Sequence, residues 1–135
     1  MRRIIPLALA VSIGCGADPV LQPTTGPMVG TWTLQTINGQ PLPYADPQAN
    51  GYKFETLSNS VTMDSHGIYR SRGQYRVTSD GRVTTYATVD SGTYELSEPQ
   101  LVIVSMATGD SQTGTVSGKT ITFVVPGHTF VLRKK

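Results

Sequence analysis

The chain has 135 residues, which suits one domain, because a single core usually occupies about 100 to 200 residues. It carries 11 basic and 9 acidic residues, and removal of Arg2 and Arg3 with a leader would lower the basic count to 9. A neutral domain with scattered charges lacks the basic stripe that phosphate binding requires, so we expect no nucleic-acid partner.

Residues 1–14 are predicted to be a signal peptide. Met1-Arg2-Arg3 is positively charged, and residues 4–13 are apolar apart from Ser12 and a break at Pro6. A spanning helix needs about 20 apolar residues, so this run is too short to cross the hydrocarbon core. A charged start followed by a short apolar run is typical of an export signal.

The apolar run ends in Ser12-Ile13-Gly14-Cys15-Gly16, which resembles the lipobox of bacterial lipoproteins. The resemblance implies cleavage before Cys15 and acylation of this residue, with a chain such as palmitate, so that the protein is anchored to a membrane of the cell envelope. The alternative is an ordinary signal peptide that contains a cysteine.

The cysteine count favours acylation over that alternative. Cys15 is the only cysteine in the sequence, so an exported chain has no second thiol with which to form an internal disulfide. Acylation would remove the unpaired thiol. By resemblance to the lipoprotein sorting rule, the absence of Asp at Gly16 favours the outer membrane if the host has one.

Residues 15–28 are predicted to be the lipidated cysteine and a flexible tether. The segment after Cys15 contains three prolines, two glycines and two threonines, and it has neither a helical nor a strand period. Thirteen extended residues would span up to about 40 Å at roughly 3.1 Å per residue. The domain could therefore stand clear of the lipid headgroups.

Residues 29–135 are predicted to form one all-β domain. They are rich in Thr, Val, Tyr and Ile, and apolar residues alternate with polar ones, as in strands with one buried face. The strands are predicted at about 29–38, 52–56, 60–64, 68–78, 82–89, 93–96, 100–106, 114–117, 119–125 and 129–133. Turn residues separate them, at Asn38-Gly39, His66-Gly67, Ser79-Asp80-Gly81, Ser91-Gly92, Ser117-Gly118 and Pro126-Gly127.

This spacing predicts an antiparallel meander, with an irregular segment at residues 41–51. Exposed strand edges are unfavourable, so we expect the strands to close into a small up-and-down barrel. A sandwich is the alternative.

The segment Val29-Gly30-Thr31-Trp32-Thr33-Leu34 contains a Gly-x-Trp opening, and residues 92–96 and 114–123 have the character of hairpin segments. These three segments are similar to lipocalin-like proteins, including small bacterial lipocalin-like lipoproteins. The resemblance implies a barrel that carries a small molecule in its interior. It also implies that an arginine on the last strand, here Arg133, lies across Trp32 and closes the barrel base.

The sequence offers no convincing catalytic or metal site. Asp64, Ser65 and His66 are adjacent in one predicted turn and cannot converge as a triad, and His128 is also predicted to be a turn residue. Zinc would lack ligands, and no glycine-rich phosphate loop precedes a helix. The acidic residues lie mostly in turns: Asp64, Asp80, Asp90, Glu95, Glu98 and Asp110. We therefore expect no enzyme activity, no cofactor and no bound metal.

One cluster of basic and aromatic residues has two interpretations. It consists of Tyr69, Arg70, Arg72, Tyr75, Arg76 and Arg82. Arg70, Arg72 and Arg76 share parity, so they could project from one face. That face is either a docking surface for an acidic or glycan partner, or an ordinary solvated face.

The leading functional hypothesis is that the barrel binds a small apolar or amphipathic molecule at the cell envelope. The candidate inward-facing residues are Trp32, Leu34, Phe54, Tyr94, Ile121, Phe123 and Phe130. A filled core would contain the same residues, so the alternative is a solid interaction module that meets another envelope protein. A ligand site would need roughly 300 Å³ or more of enclosed space.

Overall fold

The computed structural model describes residues 26–47 and 49–135 of the protein. The predicted signal peptide, Cys15 and the tether up to residue 25 lie outside the described residues. A 3₁₀ turn, Gly26–Met28, precedes ten strands: β1 Gly30–Ile37, β2 Gln40–Pro41, β3 Tyr44–Ala45, β4 Lys53–Met63, β5 Ile68–Ser79, β6 Arg82–Ser97, β7 Gln100–Ser105, β8 Ser111–Ser117, β9 Thr120–Val125 and β10 His128–Lys134. Within these ranges no helix has the length and apolar character needed to cross a bilayer.

Eight of the strands close into an antiparallel up-and-down barrel. From β4 to β10 each strand pairs with the next one along the chain, β10 pairs with β1, and β1 pairs with β4. The predicted all-β barrel is confirmed, and the chain does not form a sandwich. Two further strands have only two residues each: β2 pairs with β1, and β3 pairs with β4. β3 lies within the segment 41–51 that was predicted to be irregular, and β2 overlaps the start of that segment.

Two predicted strand breaks are not found in the described residues. β4 runs through the break predicted at residues 57–59, with a bulge between Thr56 and Ser58. β6 runs through Ser91-Gly92, which is therefore not a turn. Gly92 has a different role, because a Cβ built there would lie 1.8 Å from the carbonyl oxygen of Val104 on β7. A glycine inside a strand allows this close approach of a neighbouring backbone.

A packed core fills one end of the barrel, which we call the base. Trp32, Leu96, Leu101 and Ile121 are almost inaccessible to solvent there. The indole Nε1 of Trp32 donates a 2.9 Å hydrogen bond to the carbonyl oxygen of Met28, which is itself fully buried. The last residues of the predicted tether therefore form part of the barrel domain.

The cation that lies over Trp32 is Lys134, whereas the resemblance to lipocalin-like proteins implied Arg133. Lys134 Nζ is 5.7 Å from the centre of the indole ring and donates a 3.1 Å hydrogen bond to the carbonyl oxygen of Pro27. In the ladder between β1 and β10, Lys134 is opposite Trp32 and Arg133 is opposite Thr33. Directly opposite residues share a face of the sheet, so the exposed Arg133 side chain belongs to the other face.

The strands β5 and β6 continue past the end of β7 as a hairpin, residues 74–89, which we call the projecting hairpin. The hairpin turns at Asp80-Gly81, whose φ angles of 51° and 76° are both left-handed, as the sequence predicts for a two-residue turn. β6 pairs with β7 only from Gly92 onward. Among the described strands, β5 is therefore the only neighbour of β6 in the projecting hairpin.

Candidate functional site

The half of the barrel above the packed core contains a cavity of about 400 Å³ that is partly open to solvent. Its mouth lies at the end of the barrel opposite Met28, where β1 ends and β10 begins. Aliphatic and aromatic side chains form most of the wall: Leu34, Ile37, Val61, Ile103, Leu132, Tyr44, Phe54, Tyr69, Tyr75, Phe123 and Phe130. The polar lining residues are Asp46, Thr56, Asn59, Ser71, Asp90, Gln112 and His128.

Two buried glycines allow aromatic rings to lie flat against the cavity wall. A Cβ built at Gly73 would lie 2.7 Å from the hydroxyl oxygen of Tyr75, and one built at Gly114 would lie 2.8 Å from the ring of Phe123. Both distances are shorter than a van der Waals contact, so any larger residue would push the ring inward. The glycines thus help to keep the centre of the barrel open.

Asp90 presents a carboxylate to the cavity. The Tyr69 hydroxyl donates a 2.7 Å hydrogen bond to Asp90 Oδ2, and the Ser105 hydroxyl donates a 2.9 Å hydrogen bond to Asp90 Oδ1. Burial, followed by the hydrogen bond to this carboxylate, raises the pKa of Tyr69 to about 12. The tyrosine therefore remains a hydrogen-bond donor throughout the physiological pH range.

A second acidic group lies at the mouth beside a histidine. Asp46 Oδ2 is 3.6 Å from His128 Nε2. The His128 ring stacks on Phe130 with 5.9 Å between ring centres, and it meets Tyr44 edge-on at 6.3 Å. The rings of His128, Phe130 and Tyr44 thus form an aromatic group at the mouth, and the Asp46 carboxylate lies beside it.

A second aromatic group at the mouth is a row of three rings. Phe54 stacks on Tyr75 with 5.5 Å between ring centres, and Tyr75 lies 5.8 Å from Tyr86. Phe54 and Tyr75 line the cavity, whereas Tyr86 is not among the lining residues and is 40% exposed. The row therefore extends the aromatic wall from the interior out to solvent.

The candidate interior residues from the sequence fall into two layers. Four of them line the cavity: Leu34, Phe54, Phe123 and Phe130. The other three, Trp32, Tyr94 and Ile121, are buried but are not among the lining residues, and the Tyr94 hydroxyl donates a hydrogen bond to the backbone oxygen of Asp64. Alternation identified inward-facing positions without indicating their depth in the barrel.

Among the cavity residues that sequence reasoning missed are Tyr69, Tyr75, Asp90 and His128. Asp90 and His128 had been assigned to turns, and the two tyrosines had been grouped with the neighbouring arginines. Alternation along β5 could have identified the two tyrosines. If Arg70 and Arg72 face outward, the odd-numbered residues of β5 face the interior.

The structure divides the basic and aromatic cluster between two faces of β5. Tyr69 and Tyr75 line the cavity, whereas Arg70 and Arg72 are exposed. On the hairpin, Arg76 makes paired hydrogen bonds to Glu55 at 2.9 and 3.0 Å. These bonds lower the pKa of Glu55, although its burial opposes the shift.

The Asp64 side chain stabilises a turn. One carboxylate oxygen accepts hydrogen bonds from the backbone N–H groups of His66 at 2.8 Å and Ile68 at 3.0 Å. These bonds, led by the one from Ile68, lower the pKa of Asp64. Across residues 26–47 and 49–135, no group of three or more His, Cys, Asp or Glu residues could hold a metal ion.

Comparison with known proteins finds no matching family pattern and no significantly similar curated protein. The eight-stranded up-and-down barrel is nevertheless the architecture that the resemblance to lipocalin-like proteins implies.

Proposed function

We propose that the protein is a lipoprotein of the cell envelope whose barrel binds one small apolar or amphipathic molecule. The observation that carries this proposal is the cavity of about 400 Å³ above the packed core. Ligand sites usually have volumes of about 300 to 1,000 Å³, mostly apolar walls and a few polar groups that orient the ligand. The cavity has these properties, and the proposed role is binding rather than catalysis.

The proposed anchor and the position of the mouth are compatible. The described chain enters the domain at the base, where Met28 is buried against Trp32, and the cavity opens at the other end. A lipid on Cys15 would therefore tether the barrel by its closed end, and the mouth would face away from that membrane. Such an arrangement suits capture of a molecule from the surrounding compartment.

The alternative is a module that binds another envelope protein. It is favoured by the free edge of β6 in the projecting hairpin, because an exposed strand edge can pair with another chain. The alternative does not require a ligand in the cavity.

Native mass spectrometry would distinguish the two functions. The full chain with Cys15→Ser would be exported in a bacterium, purified without detergent and then extracted with solvent. A stoichiometric co-purifying molecule is expected and would identify the ligand class. A bare mass that persists after incubation with an envelope lipid extract would contradict the binding proposal.

The anchor needs a separate experiment. Wild-type protein from a bacterial host is expected to fractionate with membranes and to carry the mass of acyl chains, whereas Cys15→Ala is expected to lack both properties. If the two proteins fractionate identically, the lipoprotein assignment is wrong.

A further inference from the structure

The charge of the cavity is unbalanced. Two carboxylates, Asp46 and Asp90, are among its lining residues, whereas no lysine or arginine is among them. The only basic side chain among the lining residues is that of His128, which lies beside Asp46. Asp90 therefore has no cationic side chain as a neighbour in the described wall.

The surroundings of Asp90 hold its position without neutralising its charge. The two groups that donate to it, the hydroxyls of Tyr69 and Ser105, are both neutral, and each carboxylate oxygen accepts one of these bonds. An ionised carboxylate has about four lone-pair sites, so it can accept further hydrogen bonds from a ligand. Asp90 lies opposite Ser71 on β5, one inward position above the buried Tyr69, and is itself half-buried.

The rest of the wall suits an apolar body and repels a second anion. Aromatic rings at Phe54, Tyr75 and Phe123 can contact hydrocarbon, and their faces also attract cations. A fatty acid would place its carboxylate in a cavity that already contains two. An ammonium group would instead form a charge-assisted hydrogen bond, which is stronger than a neutral one.

We propose that the cavity selects a small amphipathic amine, whose ammonium group binds Asp90 and whose apolar part lies against the aromatic wall. This inference rests on the proposed binding function and adds the chemical class of the ligand. It assigns Tyr69 and Ser105 the role of positioning the Asp90 carboxylate.

Three probes of equal chain length would test the selection: octylamine, octanol and octanoate. Their affinities for the full chain with Cys15→Ser would be measured by isothermal titration calorimetry at pH 7 without detergent. We expect octylamine to bind about tenfold more tightly than octanoate, as a hydrogen bond to a charged group implies. Octanol, which has the same chain but no charge, is expected to lie between them.

Asp90→Asn is expected to weaken octylamine binding about tenfold and to change octanol binding less than twofold. The matched control is Glu95→Gln, which removes one negative charge from an exposed position on the same strand and should change neither affinity. Circular dichroism would check that each variant is folded. If Asp90→Asn does not fold, Ser105→Ala provides a second test, because loss of the hydroxyl that positions Asp90 Oδ1 should weaken octylamine binding and change octanol binding less than twofold.

The outcomes separate the inference from the function on which it rests. If octanoate or octanol binds as tightly as octylamine, or if Asp90→Asn leaves octylamine binding unchanged, the amine selection is wrong and the binding function stands. If none of the three probes binds, both proposals fail.

Discussion

The hydroxyl of Tyr69 lies 2.7 Å from Oδ2 of Asp90, so a hydrogen bond inside the barrel joins β5 to β6. Tyr69 is 2% exposed, and its partner is a carboxylate with no cationic neighbour among the cavity lining residues. Because a tyrosinate would be both buried and close to a negative charge, the fold strongly favours the neutral phenol.

This relationship predicts a loss of stability at alkaline pH. The pKa of Tyr69 is about 12 in the fold and 10 as a model value, so its contribution is complete below pH 10 and is lost as pH rises toward 12. The free energy of unfolding should fall by about 2 to 3 kcal/mol over this window, because one pKa unit corresponds to about 1.4 kcal/mol. Urea denaturation at a series of pH values would measure the fall.

Tyr69→Phe should remove much of this alkaline decrease, whereas Tyr52→Phe, at a position that is 48% exposed, should leave it in place. An alkaline decrease that is equally steep in wild type and Tyr69→Phe would contradict the assignment. Tyr94, whose pKa burial also raises, is expected to account for some of what remains.

Lys134 is predicted to stabilise the base of the barrel more than Arg133 does. Lys134→Met removes the cation over Trp32 and the hydrogen bond to Pro27, so the free energy of unfolding should fall by about 1 kcal/mol. Arg133→Met, at the neighbouring exposed position, should change it by less than about 0.5 kcal/mol. The reverse order in thermal or urea denaturation would favour the arginine that the lipocalin resemblance implied.

Filling the cavity is predicted to remove ligand binding without unfolding the domain. Val61→Trp adds bulk to a residue that lines the cavity, and about 400 Å³ of space is available to accept it. We expect at least about a tenfold loss of octanol affinity, because the indole would occupy the space that an alkyl chain needs. Overpacking should cost no more than about 1 to 3 kcal/mol.

The matched control for this change is Val124→Trp, which places the same side chain at a position that is 70% exposed. It should leave octanol binding unchanged. Equal binding by the two tryptophan variants would show that the alkyl chain lies elsewhere.

Gly92 is predicted to tolerate no side chain. In Gly92→Ala the new methyl group would lie 1.8 Å from the Val104 carbonyl oxygen, so β6 and β7 would have to separate. The expected loss is about 3 kcal/mol or more, within the range of severe core substitutions. Gly26→Ala is the control, since nothing lies within 4 Å of a Cβ built there. A wild-type melting temperature for Gly92→Ala would contradict the close approach.

Alternation and turn residues were sufficient to predict the fold class and most of the strands. Leu34 and Phe123 were assigned to inward faces from a period of two, and both line the cavity. Asp90 was missed because Ser91-Gly92 resembles a turn, although here the glycine serves close strand packing. Local sequence cannot distinguish these two uses of glycine, because the second depends on a distant strand that contains Val104.

The identity of the cation over Trp32 could have been predicted from alternation in β10. Phe130 was assigned to the inward face, and Lys134 has the parity of Phe130 whereas Arg133 does not. The observed pairing of Trp32 with Lys134 agrees with this parity. The lipocalin resemblance was followed instead, and it implied the neighbouring residue.

The projecting hairpin should give a distinctive pattern of amide hydrogen exchange. The carbonyl oxygen of Ser91 accepts a hydrogen bond from the Met106 amide, so it points toward the β7 side of β6. Every second residue of a strand directs its backbone groups to the same side, so the amides at odd positions from Val83 to Val89 also point to that side, beyond the end of β7. The amides of Thr84, Tyr86 and Thr88 point instead toward β5. Deuterium should therefore enter every second amide of this half of β6 within the earliest labelling times, while the intervening amides exchange only when the hairpin opens.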